Sequence, residues 1–367
     1  MKILVTHPGR QHSHQAALAL EKAGLLAGYW SGVPASGLRR YAAVPIDPRK
    51  TRSFPWAPAL RRLGVRADFA ACRLFDRWAA QGLKRIAPDG VIACEISALS
   101  LFREARRRGI ATILDAASIH HTAQDRLHGT TDPPGLHRRI TRVKDEEIAL
   151  ADHVLTVSEM ARETYVAAGV PPGKVHAVPL GADTELFSPE GDEATEPGFT
   201  FLFSGAAIRR KGFDLLLAAF EKVRAEVPDA RLRIAGPPAD VPEWVEVLGP
   251  LSQRELAAEF RRADALALPS RNDSYAMVVP EALASGLPVL VSEMVGAKDL
   301  VTEGETGWIV PVEDAAALAD RMLWCARHRG EVRAMRPACR RVAEAATWPA
   351  YHARLADLLV RLVGASA

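Results

Sequence analysis

The chain has 367 residues, 25% of them charged and 48% hydrophobic, with a net charge of +3. That length allows two domains of ordinary size, and so small a net charge gives no whole-chain case for a nucleic-acid partner. Cys72, Cys94, Cys325 and Cys339 are scattered with no CxxC pair, which reads as free buried thiols in a reducing compartment.

Met1-Lys2 is followed by only three apolar residues ahead of HPGR at 7–10, so no secretory leader is read there. No apolar run approaches the roughly eighteen residues that span a bilayer. The expected location is the cytoplasm or a membrane surface. Ile3 to Thr6 reads as a first buried strand, and His14 to Lys22 as the helix after it. Between them lies HPGRQHSH, carrying His7, Gly9, Arg10, His12 and His14. A glycine-bearing turn between first strand and first helix commonly receives an anion. One glycine is far short of GxGxxG, and the histidines lack the spacing or companions of a metal site. A substrate-facing or solvated loop is the reading.

Between Ser36 and Arg108, sixteen Lys and Arg stand against six Asp and Glu. Arg39, Arg40, Arg49, Lys50, Arg52, Arg61, Arg62 and Arg66 fall beside Tyr41, Phe54, Trp56 and Leu60. Such a mixture suits peripheral contact with an anionic membrane, a phosphorylated acceptor, or a merely solvated face. Phe69 to Leu83 reads as helical. Gly90 to Cys94 is a strand, Leu101 to Arg108 a basic helix and Ala111 to Leu114 the next strand, which is doubly wound α/β alternation. DAASIHHTAQDRLH then puts Asp115, His120 and His121 at a carboxyl-end loop, where a histidine can orient a hydroxyl or move a proton. A helix carrying Asp145, Glu146 and Glu147 leads to the strand His153 to Val157. Ser158 is placed as a helix N-cap, and Lys174 to Pro179 is the last strand of this half.

SPEGDEATEPG, residues 188–198, has a single alanine as its only apolar side chain and reads as a linker. Phe199 to Ser204 starts a second sheet, followed by GAAIRRKGF and an apolar-faced helix from Asp214 to Arg224. Arg209, Arg210 and Lys211 therefore crowd the carboxyl end of a strand ahead of a helix, where cations can neutralise a diphosphate without a metal. Arg231 to Ala235 and Val245 to Leu248 are strands, and Ser252 with Glu255 forms a capping box for the helix running to Arg262. In ADALALPSRNDSYAMVVPEALASGLPVLV, Ala265 to Leu268 is a buried strand and Val279 to Ala284 a short helix closed by Gly286. Leu287 to Val291 enters the next strand. The loop places Asp273, and the helix start places Glu281, at carboxyl strand ends. Two carboxylates there flank a helix start facing an anion; alternatively Asp273 makes a local turn and Glu281 is a surface residue. Trp308 to Val310 is a further strand, and Ala315 to Cys325 and Tyr351 to Val363 are amphipathic helices.

With those motifs in order, the chain resembles the GT-B glycosyltransferases, specifically the large retaining family 4. The family's hallmark is an acidic residue, seven intervening residues and a glutamate, and Asp273 and Glu281 occupy those places. VPLGADTELFSP, RRKGFDLLLAAF, LGPLSQRELAAEFRRADALALPS and ETGWIVPVEDAAALA are similarly placed. The resemblance is dense in the carboxyl half and loose in the amino half. It implies two Rossmann-like doubly wound domains facing each other across a cleft: residues 1–187 for the acceptor, a linker at 188–198, and residues 199–345 for a nucleotide sugar. A terminal helix at 346–367 would cross back to the first domain.

The same resemblance implies that Glu281 holds the donor's ribose hydroxyls and Asp273 the hydroxyls of the transferred sugar. The amides around Ser274, Tyr275, Ala276 and Met277 would lie near that sugar and the phosphates. Lys211 would contact the diphosphate, with Arg209 or Arg210 beside it, and His120 or His121 would meet the sugar near the reacting carbon. Gly9 and its neighbours would line the cleft from the other domain. Two departures stand out: the family usually has arginine where Ala206 stands, and glutamate where Asp273 stands. No Asp-x-Asp pair occupies a suitable loop, so metal-free transfer with retention is expected. No cofactor is expected beyond the nucleotide-sugar donor, and the acceptor is an unidentified glycan, lipid or small molecule. Other readings are a GT-B epimerase or phosphorylase, or a catalytically silent nucleotide-sugar binder.

Overall fold

The computed structural model describes residues 1–9, 11–33, 46–54, 64–129, 133–191, 197–237 and 240–364. The chain divides into two compact units, one made of Met1–Val178 with Pro349–Ala367, the other of Pro179–Trp348.

In the first unit a seven-stranded sheet has the order β3-β2-β1-β4-β5-β6-β7, with every adjacent pair parallel. Its strands are β1 (Ile3–His7), β2 (Leu26–Ser31), β3 (Thr51–Ser53), β4 (Gly90–Cys94), β5 (Ala111–Ala116), β6 (His153–Thr156) and β7 (Val175–Ala177). The connecting helices are α1 (Ser13–Lys22), α2 (Val65–Leu83), α3 (Leu99–Arg107), α4 (His121–His128), α5 (Pro134–Leu150) and α6 (Glu159–Ala167). β1, β4 and β5 are short apolar runs because helices cover both sheet faces, so neither face can be polar. Leu4, Val91, Phe102, Leu114, Val154 and Tyr165 share one buried cluster on this sheet. Ser158 accepts from Ala161 N as the N-cap of α6.

β2 and β3 had no clear signal in the sequence. LAGYWS is interrupted by glycine, and TRS is polar because β3 is a sheet edge. Part of the basic, aromatic stretch is spent inside this unit. Arg52 lies over the rings of Trp30 and Trp78, at 5.3 and 5.9 Å from the ring centres, and Phe54 packs on Phe75 and Trp78. Lys50 Nζ pairs with Glu21 at 2.5 Å. Arg39, Arg40, Tyr41, Trp56, Leu60, Arg61 and Arg62 lie outside the described residues, as do Arg10 and positions 192–196 of the linker. Among the described residues no helix is long and apolar enough to cross a membrane.

The second unit holds a six-stranded parallel sheet in the order β10-β9-β8-β11-β12-β13. Its strands are β8 (Thr200–Ser204), β9 (Arg231–Ala235), β10 (Val245–Gly249), β11 (Ala265–Leu268), β12 (Val289–Ser292) and β13 (Gly307–Val310). Around it run α7 (Phe213–Glu226), α8 (Gln253–Arg262), α9 (Val278–Ala284), α10 (Ala315–Arg327), α11 (Arg329–Ala334) and α12 (Arg336–Ala345). The capping box on α8 is formed as its sequence signature requires, Ser252 Oγ receiving Glu255 N and Glu255 reaching back to Ser252 N. Pro280 falls within the first turn of α9, where a missing N–H breaks no helical bond. Residues after Val178 pack here: Arg340 Nη1 donates to the carbonyls of Thr184 and Phe187 at 2.9 and 3.0 Å. The last helix, α13 (Trp348–Gly364), belongs almost wholly to the first unit, where His352 Nε2 meets Gln15 Oε1 at 2.8 Å.

Candidate active site

In the second unit β8 and β11 are neighbours, and the strand order runs outward from them in opposite directions. Open α/β sheets receive ligands beyond the carboxyl ends of the strands at such a reversal. The two loops leaving these strands carry most of the candidate residues. After β8, Arg209–Lys211 form a single 3-10 turn, Gly212 takes φ +69°, and α7 follows. After β11 comes the Asp273 loop. The Lys211 ammonium pairs directly with the Asp273 carboxylate, 62 residues away in sequence, with both side chains largely buried. Arg210 Nη1 donates to the Asn272 carbonyl at 3.0 Å. Arg209 is exposed and lines a pocket of about 400 Å³ together with Ala206, Ala207, Phe213 and Pro237. Of the two arginines beside Lys211, Arg210 thus fastens the loops together and Arg209 keeps its guanidinium turned to solvent.

The Asp273 loop is laid along the segment after β12 by main-chain bonds. Asp273 N donates to Met294 O at 3.0 Å, Gly296 N to Asp273 O at 2.8 Å, and Ala297 N to Tyr275 O at 2.8 Å. Ser274 and Met277 are half-buried, whereas Tyr275 is buried and its hydroxyl donates to the Leu180 carbonyl at 2.5 Å. The Tyr275 side chain is therefore an anchor, and only its main chain is left to face a ligand. Ala276 sits at φ +66°. A left-handed conformation costs a residue with a Cβ about 1–2 kcal/mol, and such strain collects where a loop is held for function. Met277 precedes α9, and its carbonyl accepts Glu281 N at 3.3 Å.

Glu281 is 9% exposed, and among the described residues nothing hydrogen-bonds its carboxylate. Burial alone lifts its pKa from the ordinary 4.5 to about 8. Between about pH 4.5 and 8 the folded protein holds a proton that the unfolded chain releases, so stability falls as pH rises through that window. Glu281→Gln, which cannot ionise, should melt close to wild type at pH 5 and above it at pH 9. Thermal melts at the two pH values check this, and equal melting at pH 9 would remove the burial cost.

In the first unit, Gly9 N donates to His7 Nδ1 at 2.8 Å, and Gly9 O accepts from Ser31 Oγ at 3.0 Å. Burial lowers His7 to about 4, so it is a neutral imidazole that orders the turn after β1. His12 Nε2 meets Asp115 Oδ1 at 2.9 Å, with both side chains 10% exposed. Burial opposes ionisation of both, yet each keeps the other charged: His12 is raised and Asp115 lowered from ordinary values. This pair joins the β1 loop to the end of β5 and was invisible in a sequence separation of 103 residues.

His120 is the N-cap of α4, its Nδ1 taking Thr122 N at 3.3 Å and lying 2.9 Å from Thr122 Oγ1. Burial and the neighbouring His121 lower it to about 4. His121 Nε2 lies 3.1 Å from Asp145 Oδ1, and its Nδ1 is buried without a partner among the described residues. Burial lowers His121 too. Both rings are neutral near pH 7, able to exchange hydrogen bonds with sugar hydroxyls without adding charge. His120, His121 and Asp145 bring one ligand atom each within 4.8 Å of one another, the one such group among the described residues. The structure thus brings Lys211, Asp273 and the cationic turn together in the second unit, while Gly9 and the His120–His121 pair belong to the first.

Two doubly wound parallel sheets of seven and six strands with flanking helices are the architecture of the GT-B fold. Sucrose-phosphate synthase from Thermosynechococcus elongatus is similar over 100% of both chains, with a TM-score of 0.80 at 19% identity. Anabaena HepE in complex with UDP-glucose is similar over 98% of this chain and 100% of its own, with a TM-score of 0.69 at 16% identity. Residues 14–186 match the family model for Glycosyltransferase Family 4, and residues 198–328 the model for Glycosyl transferases group 1. The chain belongs to the family 4 glycosyltransferases. D-inositol 3-phosphate glycosyltransferase of Corynebacterium glutamicum is 34% identical over 179 residues, which are 41% of this chain and 43% of that protein. The chain spans about half the length of the curated relatives it matches.

Proposed function

We propose that this chain transfers a hexosyl group from a nucleotide-diphosphate sugar to a hydroxyl of a glycan, lipid or small-molecule acceptor. The transfer retains anomeric configuration and needs no divalent metal. It serves polysaccharide or glycolipid synthesis in the cytoplasm or against the inner face of a membrane. The observation that carries the reading is the Lys211–Asp273 pair at the β8/β11 reversal, with the buried Glu281 eight residues further along.

In this reading the donor's diphosphate draws the Lys211 ammonium to itself, and Arg209 adds a second cation. That stabilises the charge developing as the bond from the anomeric carbon to phosphate oxygen breaks. Asp273, released from Lys211, accepts hydroxyls of the sugar. Glu281 takes the ribose hydroxyls, which give its buried carboxyl the hydrogen bonds it lacks. Neutral His120 or His121 bonds a sugar hydroxyl near the reacting carbon, and Gly9 keeps its turn open to the donor. The acceptor oxygen attacks on the face the nucleotide leaves, and its proton passes to the departing phosphate oxygen.

Purified protein incubated with UDP-, GDP- and ADP-sugars in the presence of a chelator tests this. One donor should release its nucleoside diphosphate, and Glu281→Ala should abolish the release. Tight binding of a donor without turnover, against any acceptor extract, would instead support a silent nucleotide-sugar binder.

A further inference from the structure

Arg271 lies within the stretch that carries Asp273 and Glu281 but has no role in the sequence reading, and its side chain is 5% exposed at the start of the Asp273 loop. An arginine carries five N–H donors in one plane, and every one of them is used. Nη1 and Nη2 donate to the two Asp214 oxygens at 2.5 and 2.9 Å. Nε and Nη2 donate to the two Glu313 oxygens, the latter at 2.8 Å. The second Nη1 proton goes to the Arg209 carbonyl at 2.6 Å.

These partners come from three places: the first turn of α7, the turn before α10, and the cationic turn itself. Two further bonds run between the same loops. Arg271 N donates to Arg210 O at 2.9 Å, and Arg210 Nη1 returns one to Asn272 O at 3.0 Å. The peptides on either side of Lys211's neighbours are therefore gripped by the loop that bears Asp273. Glu313 sits at φ +62°, a conformation a glutamate adopts at a cost, and its carboxylate is spent on this one guanidinium.

The charge balance argues against a simple anion trap. One guanidinium facing two carboxylates leaves a net negative cluster beside a turn whose three cations would meet a diphosphate. Arg271 has no donor left for a ligand. Its product is geometry: the position of residues 209–211 relative to Asp273.

We propose that Arg271 is a positioning residue that fixes the cationic turn for a nucleoside diphosphate, with Asp214 and Glu313 as the two ends of its clamp. The inference rests on the donor reading given above and adds to it the group that sets where Lys211 and Arg209 stand. Lysine keeps the charge but has no planar fork, so it cannot hold both carboxylates and the carbonyl at once.

The test compares wild type with Arg271→Lys in the full chain by two measurements. Amide hydrogen exchange over residues 205–212 should quicken about tenfold or more in the variant, with strand β11 unchanged. Affinity for whichever of UDP, GDP and ADP binds wild type should fall about tenfold or more, while affinity for the matching nucleoside stays within about twofold. Unchanged loop exchange, or equal loss of nucleoside and diphosphate binding, would overturn the proposal. If Arg271→Lys does not fold, Glu313→Gln removes one carboxylate from a half-exposed position and carries the same two measurements. Wild type that binds none of the three diphosphates would overturn the donor reading and this inference together. Wild-type binding that the variants leave intact would overturn the inference alone.

Discussion

Replacing Lys211 with alanine should lower turnover of the donor by about 10²- to 10³-fold while leaving the fold in place. The magnitude is that of removing one preorganised charge from a developing anion in a water-poor site. Lys211 pairs directly with Asp273, the carboxylate proposed to receive the sugar hydroxyls. Its loss leaves Asp273 largely buried beside no ammonium, which costs about 1–2 kcal/mol of stability, between the values for surface and buried pairs. The two effects separate in measurement: kcat should collapse, and the melting temperature should shift by a few degrees. Lys211→Arg should recover part of the rate, because charge is kept and reach is altered. A kcat for Lys211→Ala within about threefold of wild type would take Lys211 out of the leaving-group role.

Gly212→Ala should be strongly destabilising for a single added methyl. Gly212 has φ +69°, and a Cβ there would stand 1.9 Å from the Pro269 carbonyl oxygen and 2.6 Å from its carbon. Neither obstacle is a flexible side-chain end, so the turn and the end of β11 must separate. The conformational cost alone is about 1–2 kcal/mol, and overpacking adds a similar amount or more, giving about 3 kcal/mol or more in all. Gly304→Ala supplies the control. Gly304 has φ +75° but nothing within 4 Å of the added carbon, so it should show the conformational cost only. Denaturant unfolding of both variants checks the difference. A Gly212→Ala protein no less stable than Gly304→Ala would mean that the turn moves away from Pro269 without cost. Because Lys211 is the preceding residue, the same substitution should also weaken nucleoside diphosphate binding.

The sheets were legible wherever a strand is buried on both faces. GVIAC and ALAL stand alone as apolar runs between turn signals, RLRIA alternates arginine with apolar residues, and they form β4, β11 and β9 with the ends the sequence indicates. Edge strands carry no such signal: TRS at β3 is polar because one side of it faces solvent. The loops that hold the candidate site were legible for a related reason. Glycine, a cation cluster and acids spaced by seven residues mark them locally, and the ordered motifs resemble a known family. What joins those loops was not legible. Lys211 with Asp273 spans 62 residues, Arg271 with Asp214 spans 57 and with Glu313 spans 42. No local period encodes such pairs. The one hint was Arg271 itself, a full charge three residues beyond an apolar strand, where water is scarce. Glu281's burial was equally hidden, since a glutamate in the first turns of a helix reads as a surface residue.

The helix α13 carries a consequence for how the protein comes into being. It supplies Tyr351, Leu355, Leu359 and Val363 to the interior of the first unit, and Val363 lies where a Cβ on Gly90 would come within 3.3 Å of it. Residues 179–348 form one compact unit from consecutive chain, whereas residues 1–178 are completed by a helix that is synthesised only after residues 179–348. The first unit therefore cannot be completed until the residues of the second have been synthesised. Until then the earlier half lacks the side chains of Tyr351, Leu355, Leu359 and Val363, which are buried within its unit. A chain halted before Trp348 would hold the second unit's residues beside a first unit without its last helix, and the apolar surface left bare there is what a chaperone would meet.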